Sequence, residues 1–282
     1  MKIFSHVASR RNRRTIVAVF GVKKEIPVLE RQLFSCGALK NVLQRKVTSM
    51  KRWTCSIIAL CLIGYLTIPL TVIADERESN APIYPPELVF DGMTYGDWAA
   101  AFWQWETAIP FSSNPAVTGT NCLIGQENGP VFFAPVSFGG SVTISCTIPA
   151  GKAIFITILT DECSTVEAVP FHGSNPQELR NCVGAGTDAL DPNALVLTID
   201  HRRVQNLSRF RVQTPPINFT MPTADNLFGL AAGASGTSML DGYFVMLTPL
   251  PKGHHVLHFG GSFTSGPAAG FSADTTVNLT VQ

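Results

Sequence analysis

Residues 271–281 read Phe-Ser-Ala-Asp-Thr-Thr-Val-Asn-Leu-Thr-Val. Phe271, Ala273, Thr275, Val277, Leu279 and Val281 alternate with Ser272, Asp274, Thr276, Asn278 and Thr280. A period of two, with apolar or small residues in one phase and polar residues in the other, describes a strand with one dry and one wet face. Working backwards, the same grammar recurs in short pieces separated by Gly and Pro. His255–Phe263, Tyr243–Leu247, Ile217–Met221, Phe210–Val212 and Leu195–Ile199 read as strands, and Asp200-His201-Arg202-Arg203 as a polar hairpin end. Further upstream, Val131–Phe138, Val142–Ile148 and Ala153–Leu159 are β-rich, with Pro149–Lys152 as a turn. Many short strands without a repeated intervening helix predict a mainly-β fold. The expected form is an antiparallel β-sandwich, jelly-roll or immunoglobulin-like, over residues 91–282.

One helix stands ahead of the strands. Thr94 with Asp97 three residues on resembles a capping box. Trp98, Ala101, Phe102, Trp105 and Ile109 then recur at helical spacing until Pro110. Trp103 and Gln104 lie off that stripe, which makes them candidates for a ligand-contacting surface rather than core. Residues between Cys163 and Pro192 read as a long loop with a short helix near Pro176–Arg180, and long loops on a β scaffold are where binding residues concentrate.

The chain has 282 residues, 45% apolar and 15% charged, with 23 Gly and 19 Pro, enough apolar material for a sizeable core. Its formal charge of +1 hides an asymmetry. Residues 1–74 carry thirteen Lys and Arg against Glu25 and Glu30, which leaves eight basic and eighteen acidic residues over 75–282. A body that acidic has no electrostatic footprint for nucleic acid or for an anionic membrane surface.

Met50-Lys51-Arg52, the charge-free run Ser56–Ile73 and the small Ala74 before Asp75-Glu76-Arg77-Glu78 make the three parts of a secretory signal. Residues 50–74 are therefore expected to be cleaved near Ala74, giving a secreted or periplasmic protein. Residues 1–49 read as an upstream extension without packed structure, and 75–90 as a mobile lead-in. An organelle transit peptide and an uncleaved N-terminal membrane anchor are the alternatives. Four cysteines, Cys122, Cys146, Cys163 and Cys182, fall after the signal. In an exported chain they suggest two disulfides, with three connectivities open. Pairing sequence neighbours, Cys122 with Cys146 and Cys163 with Cys182, is favoured. Each such loop is worth roughly 3 kcal/mol in the chain-entropy account.

No motif marks a catalytic centre: there is no nucleophile elbow, phosphate loop, zinc-protease motif or EF-hand spacing, and no cofactor is called for. Asp161-Glu162, after the apolar run Ile154–Thr160, reads first as a solvated turn. Its second reading is an acid–base pair or a Ca²⁺ corner, with His172 as a further catalytic candidate. In a strand His254 and His258 share a face opposite to His255, so this cluster supplies at most two ligands to a zinc ion. Asp241-Gly242-Tyr243 reads as a turn, with ligand contact second. Trp103, Gln104, Asp241, Tyr243, His255 and His258 are thus the candidate binding residues.

Certain spacings resemble an uncharacterised family of secreted bacterial proteins. They are Tyr95, Trp98, Trp103-Gln104-Trp105 and Ile109-Pro110; Asn121-Cys122, Gly125-Gln126 and Gly129-Pro130-Val131; Cys146–Lys152; Glu162-Cys163-Ser164; Tyr243; and Gly253, His255 and His258-Phe259-Gly260-Gly261. Phe102 and Asp200-His201 depart from the family pattern, which favours a second Trp and a Gly-containing turn there. The resemblance implies export and the fold, and no activity. The expected function is a binding or structural module for a small molecule, glycan or envelope component. The alternative is an extracytoplasmic hydrolase or metal-dependent enzyme using Asp161, Glu162 and His172.

Overall fold

The structure is a computed structural model and describes residues 83–282. The proposed extension 1–49, the signal peptide 50–74 and the first part of the lead-in lie outside the described residues. The chain is mainly β, in two five-stranded sheets with few helices. Ten strands are β1 (Val131–Phe133), β2 (Gly140–Ile148), β3 (Ala153–Ser164), β4 (Val196–Ile199), β5 (Arg202–Arg203), β6 (Arg211–Gln213), β7 (Ile217–Thr220), β8 (Ser235–Leu247), β9 (Gly253–Ser262) and β10 (Ser272–Val281). Among the described residues the α-helices are α1 (Tyr95–Ala108), the single-turn α2 (Pro115–Thr118) and α3 (Pro176–Asp188).

The first sheet runs β2-β10-β9-β4-β5. In β10, Ala273, Thr275, Val277, Leu279 and Val281 are buried while Ser272, Asp274 and Asn278 are exposed, as the alternation predicts. Val277 stands between Ile144 of β2 and Leu257 of β9, so one apolar row crosses three strands. The second sheet runs β1-β3-β8-β6, with β7 also on β8. Each sheet ends in a parallel pair, β2 with β10 and β1 with β3, so both are mixed rather than antiparallel throughout. A single apolar cluster takes side chains from both sheets and from α1, joining Phe102, Phe132, Phe155 and Phe244 to Leu257, Phe259, Val277 and Leu279.

α1 starts where expected. The Asp97 N–H donates to Thr94 Oγ1 at 3.2 Å and the Thr94 N–H to Asp97 Oδ2 at 2.9 Å, which satisfies two of the otherwise unpaired donors of the first turn. Ile83 and Tyr84 are tied to β8: Ile83 bridges Leu247, and the Tyr95 hydroxyl donates to the Tyr84 carbonyl while accepting from the Met246 N–H. Between β4 and β5, Asp200 and His201 take φ of 50° and 64°, the left-handed pair of a two-residue hairpin turn.

Two corrections follow from burial. β3 runs on to Ser164, so Asp161-Glu162 lies inside a strand rather than in a solvated turn, and Asp241-Gly242-Tyr243 lies inside β8. The helix expected near Pro176–Arg180 runs on to Asp188 as α3, capped by Asn175 Oδ1, which accepts from the Gln177 and Glu178 N–H groups. The cysteines pair as neighbours: Cys122 with Cys146 ties the loop before β1 to β2, and Cys163 with Cys182 ties β3 to α3. Leu279→Ala is expected to cost ~2–5 kcal/mol of unfolding free energy in a urea titration, whereas Asn278→Ala on the wet face of the same strand changes it by about 0.5 kcal/mol or less.

Candidate functional site

β3 pairs antiparallel with β8, but the register shifts between Thr157, opposite Phe244, and Leu159, opposite Tyr243. The extra residue inverts the phase of the strand. Leu240, Gly242 and Phe244 share one face of β8, so their partners Glu162, Thr160 and Thr157 share the matching face of β3. Asp161 and Cys163 turn to the other face, opposite Asp241 and Met239. β1 leaves the edge of β3 after Phe133, opposite Phe155. Just past that point a cavity of about 120 Å³ opens between α1, β3, residues 136–138 and the segment around 263–273. Its wall is largely aromatic, with Phe102, Phe138, Phe171, Phe263 and Phe271.

Three polar side-chain atoms on residues lining this cavity are buried without a hydrogen-bond partner among the described residues: Trp103 Nε1, Glu106 Oε2 and Thr157 Oγ1. Buried polar atoms are nearly always paired, because an unmade hydrogen bond costs the group its hydration, so three around one hollow call for an explanation. Glu106 is 1% exposed. Burial pushes its carboxyl up to about 8, against the opposing hydrogen bond from Asn114. Spacing held the signal for it: Glu106 follows Phe102 by four residues and so falls on the apolar stripe, the one place on the helix where a carboxylate is out of keeping. Thr157 stands in the same way inside the apolar run 153–159.

Asp161 lies between this cavity and a neighbouring cleft lined by His172, Glu178 and Asn181. Burial pushes its carboxyl up to about 7, with Glu167 and Asp241 adding to the effect. It packs against α3 where Gly186 leaves room, and a Cβ at 186 would fall on the Asp161 carboxylate. Glu162, half-buried, accepts from the Ser238 hydroxyl at 2.5 Å. Burial of its carboxyl and the adjacent Glu167 raise it well above the carboxylate range.

The remaining candidates disperse. Trp103 packs edge-on to Phe228 with 6.1 Å between ring centroids and lines the cavity, while Gln104 is exposed and does not. Asp241 is buried and held by Arg211, whose Nε lies 2.9 Å from Oδ1 and Nη2 3.0 Å from Oδ2. Tyr243 is buried, and its phenol is raised chiefly by that burial. His172 Nδ1 lies 2.9 Å from the Glu167 carbonyl. His255 contacts Asp200 at 2.8 Å and His258 contacts Asp274 at 2.6 Å, each in a local pair on the other sheet. Among the described residues no group of three His, Cys, Asp or Glu side chains is placed to hold a metal ion, and no helix is long and apolar enough to cross a membrane.

No family model matches the chain. Nor does any curated protein match it. Among solved structures it is similar to a chain in the structure of PbICP-C in complex with falcipain-2, at 15% identity over 55% of this chain and all of that one, with a TM-score of 0.23. It is also similar to amebosin in its solution structure, at 15% identity over 49% of this chain and 95% of that one, with a TM-score of 0.15. Likenesses of this size carry no conclusion for the chain.

The raised carboxyls set a pH dependence. Glu106 in the folded chain keeps, between its ordinary 4.5 and about 8, a proton that the unfolded chain has released. Asp161 does the same between 3.8 and about 7. Folding therefore takes up protons in this window, and stability falls as pH rises through it. Glu106→Gln is expected to flatten the decline between pH 5 and pH 8 by on the order of a few kcal/mol in denaturant titrations. A profile for the variant that parallels the wild type would show Glu106 already ionised at pH 5.

Proposed function

We propose that this protein is an extracytoplasmic β-sandwich whose task is to bind a small molecule in the cavity between α1 and β3. The sandwich reading rests on the one apolar cluster shared by the two sheets. Export rests on the signal-like stretch 50–74 and is compatible with the two disulfides, which persist in oxidising compartments. The observation that carries the binding reading is that three residues lining one apolar cavity each hold a buried polar atom without a partner among the described residues. A mostly apolar hollow with a few polar groups that orient the occupant is the usual build of a small-molecule site. Size agrees as well, since an apolar cavity of about 150 Å³ admits benzene. A glycan suits this wall less well, because five phenylalanine rings line it and hydroxyls set against them would lose their hydration unrepaid.

The hydrolytic alternative has one observation in its favour. Asp161, with its carboxyl near 7, sits beside a cleft that His172 also lines, and a carboxyl poised near neutrality suits general acid–base work. The binding reading accounts for the orphaned atoms, which the hydrolytic one leaves unused.

The test is a ligand-observed NMR screen of benzene-sized compounds against the oxidised chain, beside an Ala268→Leu variant. Ala268 is buried in the cavity wall, so a larger side chain there fills the space. Hits that bind the wild type are expected to lose at least tenfold in affinity in the variant with the melting temperature retained. A silent screen, or hits indifferent to the filled cavity, would remove this site.

A further inference from the structure

The orphaned atoms also specify the chemistry of the occupant, an inference that rests on the binding reading above. Asn114 decides the matter. Its Oδ1 accepts the Ala116 backbone N–H at 2.8 Å, so the amide presents its Nδ2 to Glu106. That Nδ2 donates to Glu106 Oε1 at 2.7 Å, which commits Oε1 as an acceptor. In the neutral acid the proton therefore sits on Oε2, the oxygen without a partner. Burial keeps the acid neutral at pH 7. Asp161 and Glu162 of β3 are the other titratable side chains of the described residues in the cavity wall, and among the described residues no Lys, Arg or His lines it. None of them offers an ionised Glu106 a counter-charge.

Trp103 Nε1 is a donor with no lone pair to accept with, and Trp103 precedes Glu106 by three residues, about one turn of α1. Thr157 Oγ1 adds a hydroxyl that donates or accepts as required. The unanswered groups are thus two donors and one adaptable hydroxyl, and what they lack is an acceptor. We propose that the cavity binds a compact, uncharged carbonyl compound, an aromatic or branched aliphatic ketone, aldehyde or amide. Its oxygen accepts from the Glu106 acid and the Trp103 indole on its two lone pairs, the Thr157 hydroxyl turns to whichever neighbour is left, and its apolar body lies among Phe102, Phe171 and Phe263. A carboxylate would enter a wall with no cation and lose its hydration unrepaid. An amine would leave the indole N–H unanswered. The carboxyls of Asp161 and Glu162 do not stand ready for it, since one packs on Gly186 and the other accepts from Ser238.

The experiment is an NMR titration of the oxidised full-length chain with acetophenone, ethylbenzene and benzylamine, three probes of similar shape and different polarity. Acetophenone is expected to bind roughly tenfold more tightly than ethylbenzene, the scale of one or two added hydrogen bonds, with benzylamine weakest. Trp103→Phe should erase most of that preference for the ketone, read as the ratio of the acetophenone and ethylbenzene affinities in the same variant. Glu106→Gln presents an N–H in place of the acid O–H and should retain acetophenone. Wild-type affinity for the ketone should fall as pH rises past about 8 while that of Glu106→Gln stays level. Near-UV circular dichroism confirms that each variant is folded. Ketone and hydrocarbon binding equally, with Trp103→Phe silent, would overturn the carbonyl assignment and leave the binding site standing. Benzylamine binding most tightly would overturn it in favour of an amine, and failure of all three probes would remove both readings.

Discussion

β3 and β8 pair from Ile154 opposite Leu247 to Ser164 opposite Ser238, and each is buried along most of its length. Everything else in their sheet hangs from this pair: β1 attaches to β3, while β6 and β7 attach to β8. α3 packs across both strands, held to β3 by the Cys163–Cys182 disulfide. A central pair covered on both sides cannot slip in register without bringing polar residues into the core on one face or the other. The single irregularity between Thr157 and Leu159 is therefore a fixed feature. It sets Thr157 and Glu162 toward one side and Asp161 toward the other, and so decides which carboxyl meets which neighbour.

The consequence of that phase inversion is a division of labour among acids. Asp241 is neutralised by Arg211 through two hydrogen bonds and supports α3 through its backbone carbonyl, which accepts from the Thr187 hydroxyl at 2.8 Å. Glu162 shares its surroundings with Ser238 and Glu167. Glu106, among the described residues, has one oxygen satisfied and one left over. An acid in such a place is costly to keep unless something else completes its bonding, which is the physical reason for looking there first.

The parts of this fold that could be read from residue order were those with one wet face. β10 announced itself because Asn278 and Asp274 interrupt Val277 and Ala273 in strict alternation. The Thr94–Asp97 cap and Pro110 marked both ends of α1. β3 and β8 were harder to delimit, since a strand buried on both sides has no alternation, and acids such as Asp161 and Asp241 within it mimic turn residues. α3 was seen only as a fragment because Gly184 and Gly186 are poor helix formers, and tertiary packing on Cys163 and Met239 outweighs that preference. Of the site, Trp103 was picked out by its position off the stripe. Glu106 and Thr157 carry no such mark, because both lie in segments whose apolar neighbours make core the simpler reading. The histidines attracted notice by type, yet His255 and His258 each close a local pair with an aspartate.

Gly186 and Asp161 meet so closely that no second side chain fits between helix and strand at that point. The two positions are therefore bound in their histories: a lineage that gains even a methyl group at 186 must first shorten or remove the acid at 161, and one that keeps the acid is held to glycine. Two residues 25 places apart in the chain behave, under drift, as one.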